Sequence, residues 1–162
     1  MSNVPSFHAA ETADSPVPVP VRRGAKAVIT SSSRVLLLRE RHADGREFWT
    51  LPGGGVNPRE SLVDGLQREL AEEIRCDSTV GEVISTFWYA HRSSPRLLSR
   101  YTAFSCSVAG EVRPVRREGI LDSVWADPDD PPVGTLPQVR YLLRDAPSHA
   151  EDPSSMSGRR RR

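Results

Sequence analysis

Apolar positions change period along this chain, and the changes divide it into elements. Two short apolar runs, Ala25 to Thr30 and Arg34 to Glu40 (the latter built on Val35-Leu36-Leu37-Leu38), flank Ser31-Ser32-Ser33 and predict two strands joined by a turn. His42 to Glu47 is polar, with a turn at Asp44-Gly45, and Phe48 to Leu51 is a short strand running into Pro52-Gly53-Gly54-Gly55. The period then becomes helical. Leu62, Leu66, Leu70 and Ile74 recur every four positions and form one stripe at ~100° per residue. Asn57 is the predicted N-cap of this helix, with Pro58 at its first position and Glu60 three residues after the cap. Alternation returns in two long strands, Thr79 to His91 and Leu97 to Val108. In the second, Thr102, Phe104, Cys106 and Val108 lie on one face and Tyr101, Ala103 and Ser105 on the other. Ile120 to Trp125 reads as a further strand. Leu136 or Pro137 to Arg144 reads as a closing helix with Val139, Leu142 and Leu143 inward. This order of elements is α+β.

The ends lack such patterning. Residues 1–21 mix Ser, Ala and Pro, and residues 146–162 are Pro, Ser and Glu ending in Arg159 to Arg162. Both are expected to be disordered around one domain at 22–145, because neither can bury enough to offset its ordering entropy. A length of 162 residues with 37% hydrophobic and 27% charged residues fits that single domain. A net charge of +1 creates no global field, so neither a nucleic-acid polymer nor a membrane is an expected partner. No apolar run approaches the ~18 residues of a membrane span, and the N-terminus lacks a signal-peptide core. Cys76 and Cys106, without CxxC spacing, are read as reduced core residues of a cytoplasmic protein. Trp88 and Tyr101 are read as core or sheet-packing residues ahead of a base-stacking platform, His91 as a loop residue, and Lys26 is the only lysine among many arginines. Nothing here fixes the oligomeric state.

The candidate chemistry lies in the central helix. Glu69, Glu72 and Glu73 fall on a stripe beside the apolar one, spread over roughly 100° of the wheel. Carboxylates crowded in this way repel one another, so a counter-charge is expected. Carboxylate oxygens are hard ligands suited to Mg²⁺ or Mn²⁺, and a site with few of them leaves room for substrate phosphates. The plain alternative is a solvated face, since Glu is a good helix former. Arg39 and Arg41 leave their strand toward this stretch, either as surface charges or as grips for substrate phosphate.

The spacing goes further. Gly54, then Glu60, then Arg68-Glu69-Leu70-Ala71-Glu72-Glu73, entered through Trp49-Thr50-Leu51-Pro52-Gly53-Gly54, resembles the signature of the Nudix hydrolases. The resemblance covers about residues 22 to 145, and its specificity sits in residues 49 to 76. At one position the chain departs from the pattern: Arg75 stands where the family has a glycine that ends the helix left-handed. A non-glycine residue there costs ~1–2 kcal/mol.

What the resemblance implies is a mixed β-sheet sandwiched between helices and a small-molecule diphosphate as substrate. The activity implied is Mg²⁺- (or Mn²⁺-) dependent hydrolysis of a pyrophosphate bond in a nucleoside diphosphate linked to another moiety. It implies Glu69, Glu72, Glu73 and the Gly53 carbonyl as metal ligands, with Glu69 or else Glu118 accepting the proton of the attacking water. Arg68 would hold the carboxylates in place, paired with Glu60, and Gly54 and Glu60 would serve structural roles. Glu60 also has a capping reading, and Glu118 a plain reading as surface charge. Two other functions stay open: a non-nucleotide (prenyl or sugar) diphosphate hydrolase, and a nucleotide sensor without turnover. The motifs that mark NADH and ADP-ribose enzymes within the family are absent, with His91 and Arg92 standing near the second.

Overall fold

Ser32 and Ser33 both take positive φ, 49° and 62°, the turn geometry whose twist matches two antiparallel strands. It joins β1 (Val21–Ser31) to β2 (Arg34–Arg41). The other elements are β3 (Glu47–Thr50), β4 (Gly53–Gly55), α1 (Leu62–Ile74), β5 (Asp77–Ala90), β6 (Leu98–Ala109), β7 (Ile120–Ala126) and α2 (Pro137–Asp145), with one 3-10 turn at Arg116–Glu118. This computed structural model describes residues 18–91 and 96–145. The segments expected to be disordered therefore lie, but for residues 18–21, outside the described residues.

Hairpin contact between β1 and β2 lasts only for Thr30↔Val35 and Ser31↔Arg34. Beyond it β1 runs parallel to β6, from Val21↔Leu98 to Ile29↔Cys106, and takes β4 antiparallel on its other edge. The sheet order is β3-β2-β1-β6-β5, with β4 added to β1 and β7 to β2. β1 starts four residues before the apolar run does, because its first residues are held by distant β6 and not by their own hydrophobicity. The glycine run that follows Leu51 is itself a short strand, β4.

Strand alternation sorts the core into two layers. Ala25, Ala27, Ile29, Leu36, Leu38, Phe104 and Cys106 pack under Leu66, Leu70 and Ile74 of α1. Val28, Val35, Leu37, Ala103 and Ala126 pack on Val139, Leu142 and Leu143 of α2. The result is a mixed sheet between two helices, as expected. Each fully buried leucine contributes roughly 1.5–3 kcal/mol.

The ends of α1 differ in how well the sequence foretold them. The cap is Ser61, whose Oγ accepts the Asp64 N–H at 3.0 Å, not Asn57. Asn57 to Glu60 form a turn ahead of the helix: Asn57 O accepts the Glu60 N–H at 3.0 Å, and Glu60 Oε1 accepts the Asn57 N–H at 2.9 Å. Only the Glu60 half of a capping box is thus made, since the backbone carbonyl of Asn57 and not its side chain accepts the Glu60 N–H, and the pair closes the turn. At the other end Arg75 takes φ 55°, ψ 37°, the left-handed exit its family position requires. The carbonyls of Glu73 and Ile74 are met by the N–H groups of Val115 at 2.8 Å and Arg113 at 3.0 Å. These bonds satisfy the helix end without a glycine.

Trp88 is 49% exposed, so it is not a core residue. Tyr101 does pack within the sheet, against Phe87 and Tyr89. His91 is more than a loop residue: its Nε2 lies 2.8 Å from Ser99 Oγ, and its ring meets Tyr89 edge-on.

Candidate active site

The glycine strand β4 is pinned to β1 at both ends. Pro52 O accepts the Ala27 N–H at 2.9 Å, and Arg23 O accepts the Val56 N–H at 3.0 Å. Gly53 has φ 120°, and a Cβ on it would run into the Ala25 carbonyl oxygen. On Gly54 a Cβ would lie 3.0 Å from the carboxyl carbon of Glu69. Without side chains at either position, the backbone comes up against the acidic edge of α1.

Along that edge each carboxylate has a different setting. Glu73 is buried at 6% exposure, and its Oε2 accepts the Gly53 N–H at 2.9 Å. Burial pushes its carboxyl up to about 8. Lys26 and the Gly53 N–H work against that rise, and Glu40 and Glu69 add to it. Glu69 is partly covered and Glu72 mostly open. Arg68 ties the group together. Its Nε and Nη2 grip Glu60 at 2.9 and 2.8 Å, its Nη1 reaches Glu69 at 3.1 Å and Glu72 at 3.4 Å, and Nη2 also donates to Gly55 O at 3.2 Å. Such a two-pronged guanidinium–carboxylate grip is strong for its geometry. With the Asn57 N–H it holds the Glu60 carboxyl far down, at about 2.

Of the other residues singled out in the sequence, Arg39 pairs with Glu47 at 3.3 Å and Asp122 at 3.6 Å, and its guanidinium lies 5.7 Å from the Trp49 ring centre. Arg41 pairs with Glu47 at 3.0 Å. Both guanidiniums are thus engaged on the β2–β3 and β7 surface. Glu118 ends the 3-10 turn and faces Arg117 at 3.7 Å. Its segment is held to the end of α1 through the Val115 N–H on Glu73 O.

Two residues near the carboxylates were not among those expected at the site. Glu40, on β2 beside a register shift in its pairing with β7, is half-buried. Burial and Glu69 raise its carboxyl, and Lys26 lowers it. Lys26, at 6% exposure, donates from Nζ to the Gly53 carbonyl at 2.7 Å. A signal for Lys26 was present: it is one charged residue inside the uninterrupted buried run Gly24 to Ile29. Glu40 gave none, since its place depends on how β2 meets β7.

Comparison with known proteins agrees with this picture. The NUDIX domain family model matches residues 20–146, so the chain belongs to the Nudix family. It is 35% identical over 77 residues to the 8-oxo-dGDP phosphatase NUDT18 of Homo sapiens, a match covering 44% of this chain and 24% of that protein. It is 28% identical over 105 residues to the CTP pyrophosphohydrolase of Escherichia coli K12, covering 64% and 74%. Among solved structures, a MutT NUDIX hydrolase from Burkholderia pseudomallei superposes with a TM-score of 0.68 at 24% identity, covering 77% of this chain and 97% of that one. The chain spans only about a quarter of the human relative's length.

Nudix hydrolases generally use divalent metal ions. The donors on the α1 edge fit such an ion in kind and sign: they are all oxygen, net negative, and brought against a backbone with no side chains in the way. An ammonium already stands on the Gly53 carbonyl. Among the described residues, however, no three acidic, His or Cys groups are drawn together as a closed cage.

Proposed function

We propose that this protein is a Mg²⁺-dependent pyrophosphohydrolase of a nucleoside diphosphate linked to another moiety. One observation carries the reading. The three helix glutamates are held by Arg68 and by the Gly53 N–H against a side-chain-free backbone edge, and Glu73 is buried there at the expense of its own ionisation. A solvated helix face has no reason to bury a carboxylate among others. When bound, a divalent cation supplies charge neutralisation at the diphosphate and acidifies the attacking water.

The protein's own residues do the rest. Glu69, Glu72 and Glu73 hold the cation, and the Gly53 carbonyl faces the same edge. Glu69, or else Glu118, accepts the proton of the water. Arg68 fixes the carboxylates through Glu60, and Gly54 keeps the space before Glu69 clear. Arg39 and Arg41 take substrate phosphate only by exchanging their bonds to Glu47 and Asp122. The substrate is a small molecule. A cytoplasmic location is supported by two buried, unpaired thiols, Cys76 and Cys106.

The test is turnover of a mixed panel: nucleoside triphosphates, nucleotide sugars, dinucleotides and a prenyl diphosphate, each with Mg²⁺ and with chelator. We expect Mg²⁺-dependent cleavage of a nucleotide, with solvent ¹⁸O entering one phosphoryl product. Turnover of the prenyl or a sugar diphosphate alone would replace the nucleotide reading. Nucleotide binding without turnover would make this a sensor.

A further inference from the structure

We propose that Lys26 is a positioning residue. Its ammonium is a built-in cation that anchors the Gly53 carbonyl and limits how tightly the α1 carboxylates hold a divalent ion. The inference rests on the reading that those carboxylates bind a metal.

Four observations lead to it. Lys26 is buried at 6% exposure, a rare position for a lysine without a dedicated partner. Its Nζ donates to Gly53 O at 2.7 Å, across the register pair Lys26↔Gly53 that joins β1 to β4. The Tyr101 ring stands 5.2 Å from Nζ, and Gly24 keeps that ring in place because a Cβ there would collide with it. Burial works against the ammonium, and the carboxylates of Glu40, Glu73 and Glu69 stand near enough to act in its favour.

The chemistry follows from the charges. Whatever negative charge Glu40, Glu69 and Glu73 carry bears on the Lys26 ammonium, and repulsion among charged carboxylates works against the approach of the helix to the glycine strand. A fixed cation on the strand side offsets that repulsion before any metal arrives. The same cation repels a dication drawn to those carboxylates, and it competes for the Gly53 carbonyl. Lys26 therefore stabilises the metal-free protein and weakens metal binding.

The experiment measures Mn²⁺ binding calorimetrically and thermal midpoints in chelator for the full-length protein, Lys26→Met and Lys26→Gln. We expect both variants to bind Mn²⁺ about tenfold more tightly, because a nearby like charge is gone, while their metal-free midpoints fall. Lys26→Gln should fall less, since its amide still donates a hydrogen bond. A purely structural lysine would lower the midpoint and leave the Mn²⁺ dissociation constant unchanged. That result, or weaker binding, overturns the proposal.

A second measurement needs no variant. Lys26 is the only lysine, so ¹⁵N-lysine labelling gives a single Nζ signal. This signal should shift as Mg²⁺ is titrated, in step with the rise in thermal midpoint. A signal unmoved while the midpoint responds overturns the proposal. If neither heat nor midpoint of the unaltered protein responds to metal, the fault lies in the reading of α1 as a metal site.

Discussion

Around Arg68 one half-buried guanidinium serves Glu60, Glu69 and Glu72 at 2.8–3.4 Å, whereas on the β2–β3 rim Arg39 meets Glu47 and Asp122, and Arg41 meets Glu47, at 3.0–3.6 Å, and these two acids are more open to water than Glu60 and Glu69. The residue types are the same and the bond lengths similar. What differs is the balance of charge and the access of solvent. On the rim two arginines meet two acids, and water reaches the acids, so each pair contributes little. Along α1 the acids outnumber Arg68, and the surplus is pressed against Gly53 and Gly54, where one carboxyl, Glu73, is driven toward its neutral form. An unbalanced, partly dry cluster is short of positive charge. A balanced wet one is not.

The largest effect expected from breaking this contrast is on activity. Glu73→Gln keeps an acceptor for the Gly53 N–H but loses the charge proposed to hold a dication. We expect a rate loss of ~100-fold or more, about 2.7 kcal/mol on the barrier, with the metal-free thermal midpoint unchanged or raised. A variant retaining more than about a tenth of the rate would show that Glu73 does not hold the metal.

Arg68 comes next. Arg68→Met leaves Glu60 without its main partner and removes the guanidinium that ties Glu69 to Glu72. We expect a loss of ~2 kcal/mol in chemical denaturation, at the low end for a broken pair because the group is partly exposed. Arg68→Lys should recover less than half of it, because an ammonium cannot reproduce the two-pronged grip. Full recovery would mean that charge alone matters here.

A smaller effect is set by pH. The Glu73 carboxyl lies at about 8 in the metal-free fold, against ~4.3 unfolded. The folded form therefore binds the proton more tightly. Its contribution is fully present below the unfolded value and is lost as pH rises through about 8. Glu60, held at about 2, has the opposite sign, and its contribution disappears only in strong acid. In chelator, the wild type should lose stability progressively between the two Glu73 values, and Glu73→Gln should lose little. Parallel pH curves for the two proteins would show that Glu73 ionises normally.

The smallest effect is expected on the rim. Arg41→Ala should change stability by less than ~0.5 kcal/mol. If KM for the turned-over diphosphate rises several-fold with stability unchanged, Arg41 leaves Glu47 to grip phosphate. The contrast between the two regions would then hold only for the resting protein.

The sequence by itself determined the layers, because side-chain period is a local property. Leu66, Leu70 and Ile74 mark the buried stripe of α1, Val139, Leu142 and Leu143 that of α2, and the alternation of Phe104 and Cys106 with Ala103 tells the two faces of β6 apart. It also marked the acidic edge and the Gly53–Gly54 approach, since their spacing survives as a pattern of residue types. It placed Arg75 where the chain turns left-handed. Tertiary structure decided the rest. That β4 pairs with β1, that β1 starts at Val21, and that Glu40 joins the carboxylates all depend on strands far apart in the chain. The cap moved from Asn57 to Ser61 because the Glu60 carboxylate is shared between Asn57 and the distant Arg68, which closes a turn ahead of the helix. Lys26 shows the division most clearly. Its burial could be read from its apolar neighbours, but its bond to Gly53 O exists only because β1 and β4 lie in register. Pairing register is set by contacts between segments, and no local pattern contains it.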